Sequence, residues 1–87
     1  MKKKFRQYNY DVWGNPKDGY DVNDIFRTSF VYELDPNLPN NELIKVLKKE
    51  GCIKKRVWAK SIEVGGDETW ITFDYKGKPE FELRLED

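Results

Sequence analysis

Fourteen residues, DVWGNPKDGYDVND from Asp11 to Asp24, hold four aspartates, two asparagines, two glycines, a proline and two large aromatics. So many side-chain oxygens suit calcium, which takes about six to eight oxygen ligands at flexible spacing. Aligning Gly19 with the invariant glycine of an EF-hand loop puts Gly14 at the first ligand position and Ile25 at the last. The leading aspartate and the bidentate glutamate are both missing, so an EF-hand is not expected. Turn chemistry accounts for the same residues, since Asn and Asp bond nearby backbone and Gly takes unusual φ/ψ. Recognition is the third use. Trp13 and Tyr20 are residue types that anchor protein interfaces, and Asn15, Asp18, Asn23 and Asp24 would hold the loop that presents them. The competing role for Trp13 is to fold back over the core.

Other chemistry finds little support. The chain has no histidine and one cysteine, Cys52. That removes the commonest general base, a His-ligated zinc site and an internal disulfide. Ser29 and Ser61 lie in strand patterns outside any G-x-S-x-G context. Cys52 has no histidine to activate it and reads as a small buried residue. Asp74, Tyr75 and Lys76, with Asp67, superficially match half of a metal-nuclease motif. A tight turn explains Lys76 equally well. VGGDET lacks the lysine and the length of a phosphate-binding loop. No catalytic residue, metal or cofactor is expected, and the chain reads as non-enzymatic.

With 87 residues the chain is expected to form one domain, 1–87. A domain of this size buries only about 60–65% of the surface its unfolded chain exposes. Self-association is the one extra source of stability left, since disulfide and zinc are gone. No apolar run is long enough to cross a membrane as a helix. MKKKF is followed by RQYNYDVWGN rather than by the apolar stretch of a signal peptide. The expectation is a cytoplasmic protein of a reducing compartment.

Sixteen basic and sixteen acidic residues cancel, but they are segregated. Residues 39–60 carry seven basic residues against two acidic, and residues 61–87 carry three against eight. A local basic face formed by Lys45, Lys48, Lys49, Lys54, Lys55 and Arg56 is therefore a candidate nucleic-acid surface. The RNP1 consensus is absent, and helix lysines commonly form a solvated face.

The elements that must position these residues follow from periodicity. Alternation predicts strands over Phe5–Trp13, with Tyr8, Tyr10 and Val12 on one side, and over Ile25–Leu34, with Phe26, Thr28, Phe30, Tyr32 and Leu34 on one face. The glycines and Pro16 between them are expected to break regular structure. NNELIKVLKKEG reads as a helix with Asn40 as N-cap, Glu42 in the first turn, Lys48 and Lys49 in the last, and Gly51 as the left-handed stop. Leu43, Ile44, Val46 and Leu47 form its apolar stripe. Further strands are expected over Val57–Val64, with Trp58, Ile62 and Val64 on one face, over Thr69–Tyr75, and through Phe81, Leu83 and Leu85. The turns VGGDET and YKGKP, with Gly77 at positive φ, join them.

The predicted fold is α+β: a mainly antiparallel five-stranded sheet in the order β-β-α-β-β-β with one helix on one face. A ferredoxin-like fold lacks its second helix here, and an OB barrel would place its helix after three strands. One helix covers one face of a sheet. Thirteen aromatic residues, three of them tryptophan, are therefore expected to leave some aromatic surface for a partner or a second copy.

The pattern D-x-W-G-N…D-G-[YF]-x-V-N-D stands here as Asp11, Trp13, Gly14, Asn15, Asp18, Gly19, Tyr20, Val22, Asn23 and Asp24. With FRTS, NELIKVLKKEG and FDYKGKP it resembles a family of small uncharacterised bacteriophage and prophage proteins. The resemblance covers most of the chain and brings no catalytic residue. It implies an accessory role in a bacterial host: binding host proteins, modulating defence, or aiding phage nucleic-acid metabolism. The leading expectation is a protein-binding module acting through residues 11–24. The alternative is a nucleic-acid-binding module acting through the lysine-rich face.

Overall fold

A computed structural model describes residues 1–15, 17–75 and 77–86. Its strands are β1 (Lys3–Asn15), β2 (Gly19–Leu34), β3 (Ile62–Gly65), β4 (Trp70–Tyr75) and β5 (Lys78–Leu85), with one helix, α1 (Asn40–Lys49), between β2 and β3. They form a five-stranded antiparallel sheet in the order β2-β1-β5-β4-β3. This is the α+β architecture that periodicity predicts.

Alternation in β5 makes the sheet two-sided. Phe81 and Leu83 are buried, Leu85 is half-buried against the same core, and Arg84 between them is exposed. Leu43, Ile44 and Leu47 of α1 pack on that side, together with Phe5, Leu34, Ile71 and Phe73. Phe73 and Phe81 stack with ring centroids 4.7 Å apart. The opposite face has no helix. There Arg6 donates to Glu86, Tyr10 donates to Glu82 at 2.6 Å, and Arg84 lies 4.4 Å over the Tyr8 ring. Burial and the Glu82 carboxylate both push the Tyr10 hydroxyl pKa upward.

The helix stops as its sequence requires. Gly51 N–H donates to Lys48 O and Cys52 N–H to Leu47 O, the paired bonds of a Schellman motif, with Gly51 at φ 78°. Its start differs from the expectation. Asn40 is the first helical residue and Pro39 the N-cap, with no side-chain cap bond. The Asn40 side-chain amide instead donates to Ile62 O at 3.0 Å, tying α1 to β3.

Two other expectations are corrected and a third is refined. The segment after Trp13 does not break regular structure, because β1 and β2 stay paired from Val12↔Val22 to Asn15↔Gly19. The glycines sit at the tip, where positive φ is needed, and not between elements. Val57–Val64 is not one strand. Val57 N–H donates to Lys54 O, and a 3-10 turn follows at Ala59–Ser61, so only Ile62–Gly65 joins the sheet. Phe26, Tyr32 and Leu34 do share one face, as their partners Asn9, Phe5 and Lys3 do, but that face is not buried along its length. Three residues, Thr28 to Phe30, stand opposite the single Gln7 and shift the register. Phe30 within that bulge and Phe26 beyond it are exposed, while Leu34 is buried.

The bulge is fastened. Thr28 Oγ1 donates to Gln7 O at 2.8 Å, and Arg6 Nη1 donates to Thr28 O at 2.8 Å. Arg6 therefore links the edge strand to Glu86 across β1.

Candidate functional site

β5 pairs with β1 only from Phe5↔Leu85 to Asn9↔Phe81. The β1–β2 ladder continues to Asn15↔Gly19. Beyond Asn9 the hairpin is therefore a two-stranded arm, about 20 Å long for six residues at about 3.3 Å each. Nothing in the sheet flanks it on either side.

Paired residues of an antiparallel ladder share a face. One face of the arm carries Tyr10 with Ile25, Val12 with Val22, and Tyr20 beside Gly14. The other carries Trp13 with Asp21, Asp11 with Asp24, and Phe26 beside Asn9. Trp13 is 58% exposed, Phe26 51% and, nearer the base of β2, Phe30 57%. Trp13 does not close over the core.

The six residues singled out from the sequence divide by role. Asn15 and Asp18 make the turn: Asn15 Oδ1 accepts from Lys17 N–H at 3.0 Å, and Asn15 Nδ2 donates to Asp18 Oδ2 at 2.8 Å. Gly14 beside them takes φ 103°, and a Cβ there would lie 2.8 Å from Gly19 O. Pro16 lies outside the described residues. Asn23 is the extra residue of a second bulge, between Asp11↔Asp24 and Val12↔Val22. Asp24 Oδ1 accepts the Ile25 N–H at 2.9 Å. Trp13 and Tyr20 remain as the two aromatics of the arm tip, Tyr20 half-buried.

The arm is also acidic. Asp11, Asp18, Asp21 and Asp24 face one basic residue, Lys17. None of the four forms an ion pair among the described residues. Asp11 stands directly across from Asp24, and like charges directly opposite destabilise a ladder. Among the described residues no three acidic or cysteine side chains converge as a metal site. Lys76, part of the nuclease-like match, lies outside the described residues.

Sequence reasoning missed Ile25, Phe26, Phe30 and Val31 as surface residues. Their alternation looks like core until the bulge and the end of β5 pairing are known. It also missed Trp58, placed on a strand face but in fact 69% exposed. In the alternative basic face, Lys45 is bound to Glu42 at 3.3 Å, while Lys54, Lys55 and Arg56 are exposed on the α1–β3 connection. Lys49 is exposed and Lys48 half-buried at the end of α1.

A cleft of about 390 Å³ lies beyond the C-terminal end of α1, floored by Phe73 and Phe81 and walled by Gln7, Asn9 and Cys52. Tyr32 OH donates to Gln7 Oε1 at 3.1 Å, and Gln7 Nε2 donates to Asn9 Oδ1 at 2.7 Å. Burial pushes the Cys52 thiol up to about 11, so it is a poor nucleophile near neutral pH.

Compared with family models, with curated proteins and with solved structures, the chain finds no match.

Proposed function

We propose that this protein acts by binding another protein through the β1–β2 arm, without catalysing a reaction. The observation that carries the reading is the exposure of Trp13, Val22, Ile25 and Phe26 on a hairpin that nothing else in the sheet covers. Trp13 and Phe26 stand on one face of the arm and Val22 and Ile25 on the other, so each face offers apolar contacts to a partner. The unpaired aspartates among these residues suit a partner with a basic rim around an apolar patch. A free β2 edge adds backbone donors and acceptors that an extended segment of the partner can pair with.

The resemblance of residues 11–24 to phage and prophage proteins supports an accessory role in the cytoplasm of a bacterial host. The test is capture from bacterial lysate by the tagged protein and by a Trp13→Ala/Phe26→Ala variant. A nuclease-resistant band present with the first and lost with the second supports the arm. Equal capture by both removes the arm from the reading. Hot-spot truncations of this type cost about 2 kcal/mol or more in affinity.

A further inference from the structure

The three tryptophans are held differently. Trp70 lies across the β3–β4 turn, where a Cβ on Gly65 would meet its ring at 2.7 Å. Trp13 belongs to the arm. Trp58 sits on neither, and at 69% it is the most exposed aromatic among the described residues.

Its exposure is built into the connection between α1 and β3. Two tight turns meet there: Val57 N–H donates to Lys54 O at 3.2 Å, and Ser61 N–H donates to Trp58 O at 2.9 Å. Val57 is 6% exposed and anchors the connection in the core. Trp58 follows it in extended backbone, φ −98° and ψ 150°. Successive extended residues point to opposite sides, so burying Val57 turns Trp58 to water. The ring is thus held out by a short, anchored segment, and little backbone ordering remains to be done on binding.

The basic residues of this connection are free of ion pairs among the described residues, although Asp74 of β4 lines the same shallow groove as Trp58 and Lys60. Lys54, Lys55, Arg56 and Lys60 are all exposed, and residues 54–60 contain no acid. None of the four is ion-paired among the described residues. On the sheet the pattern is the reverse: Arg6, Arg27 and Arg84 all pair with Glu82 or Glu86. Lys60 Nζ is 6.0 Å from the centre of the Trp58 ring, at the outer limit of a cation–π contact. A flat aromatic group can displace it at low cost.

We propose that the 54–60 connection binds single-stranded nucleic acid, with a base stacked on Trp58 and flanking phosphates met by Lys54, Lys55, Arg56 and Lys60. An exposed aromatic platform among unpaired cations is the combination that single strands require. A solvated lysine face needs no tryptophan. Lys54 lines the same cleft as Tyr10 at the foot of the arm, but Trp58 and Lys60 do not, so Trp58 variants test this surface apart from Trp13 and Phe26.

The test is fluorescence anisotropy of a labelled oligothymidylate titrated with the full-length protein, with circular dichroism confirming the fold of each variant. Affinity should fall with salt at about −0.7 log units per phosphate neutralised. Four contacts give roughly a fifty-fold loss between about 50 and about 200 mM salt. Trp58→Ala should weaken binding about tenfold or more, and Trp58→Phe should keep most of it. Lys55→Glu with Arg56→Glu should lower affinity and flatten the salt dependence, while Trp13→Ala should leave both unchanged. No binding at low salt would overturn the proposal. So would binding indifferent to Trp58→Ala, or equal affinity for heparin, a polyanion without bases.

Discussion

At its base the β1–β2 hairpin places Phe5 and Leu34 against α1 and β5, where they are fully buried. A few residues further along the same strands, Trp13, Val22, Ile25 and Phe26 are exposed. The residue types are alike at both ends, and the strands are continuous. What changes is the neighbour: β5 stops pairing at Asn9. Burial here is set by what lies across the strand rather than by the strand's own composition. The base of the hairpin therefore belongs to the folding unit, and the arm beyond Asn9 is left uncovered by the sheet.

Truncations separate the two regions most widely. Leu83→Ala, at a fully buried position on β5, should cost about 2–5 kcal/mol of unfolding free energy in urea titration. Gly14→Ala comes next, at about 1–3 kcal/mol, because φ 103° and the nearby Gly19 O leave no room for a Cβ. Its loss should appear in hydrogen exchange of arm amides more than in those of β5. Trp13→Ala and Phe26→Ala should stay within about 0.5 kcal/mol, as exposed positions do. If they cost as much as Leu83→Ala, the arm is part of the core.

Two titrations sharpen the contrast. The Arg6 hydrogen bond holds the Glu86 carboxyl below its ordinary range, with desolvation working against it. A depressed carboxylate contributes stability above its unfolded pKa, near about 4.3, and loses it as pH falls through the lower folded value. The urea midpoint should therefore drop on acidification, less steeply in Glu86→Gln, with the bulge at Thr28 loosening first. Cys52 reports on the other side of the sheet. With its thiol raised to about 11 by burial, alkylation near pH 8 should be slow in the folded protein and fast in urea. Rapid labelling of folded protein would place Cys52 outside the cleft.

The element order and the helix stop were legible because their signals are local. Alternation around Phe81, Leu83 and Leu85, the stripe Leu43–Leu47 and the positive φ of Gly51 and Gly77 each depend on a few neighbours. The arm was not legible as an arm. Gly14, Asn15 and Gly19 read as interruption, yet they close the tip of a continuous ladder. The exposure of Phe30 goes with a bulge opposite Gln7 and that of Phe26 with where β5 ends, both long-range facts. Trp58 was hidden for a similar reason, since VWAKSIEV alternates like a strand until the turn at Ala59–Ser61 is seen. Of the candidate site, Trp13 and Tyr20 were visible by type, and Asn15 and Asp18 by their turn chemistry. The apolar residues of β2 that complete the surface were not.

The most direct test pairs capture with unfolding in the Trp13→Ala/Phe26→Ala variant. Loss of the nuclease-resistant partner with an unchanged urea midpoint is the expected result. Retained capture, or a midpoint lowered as far as in Leu83→Ala, would contradict it.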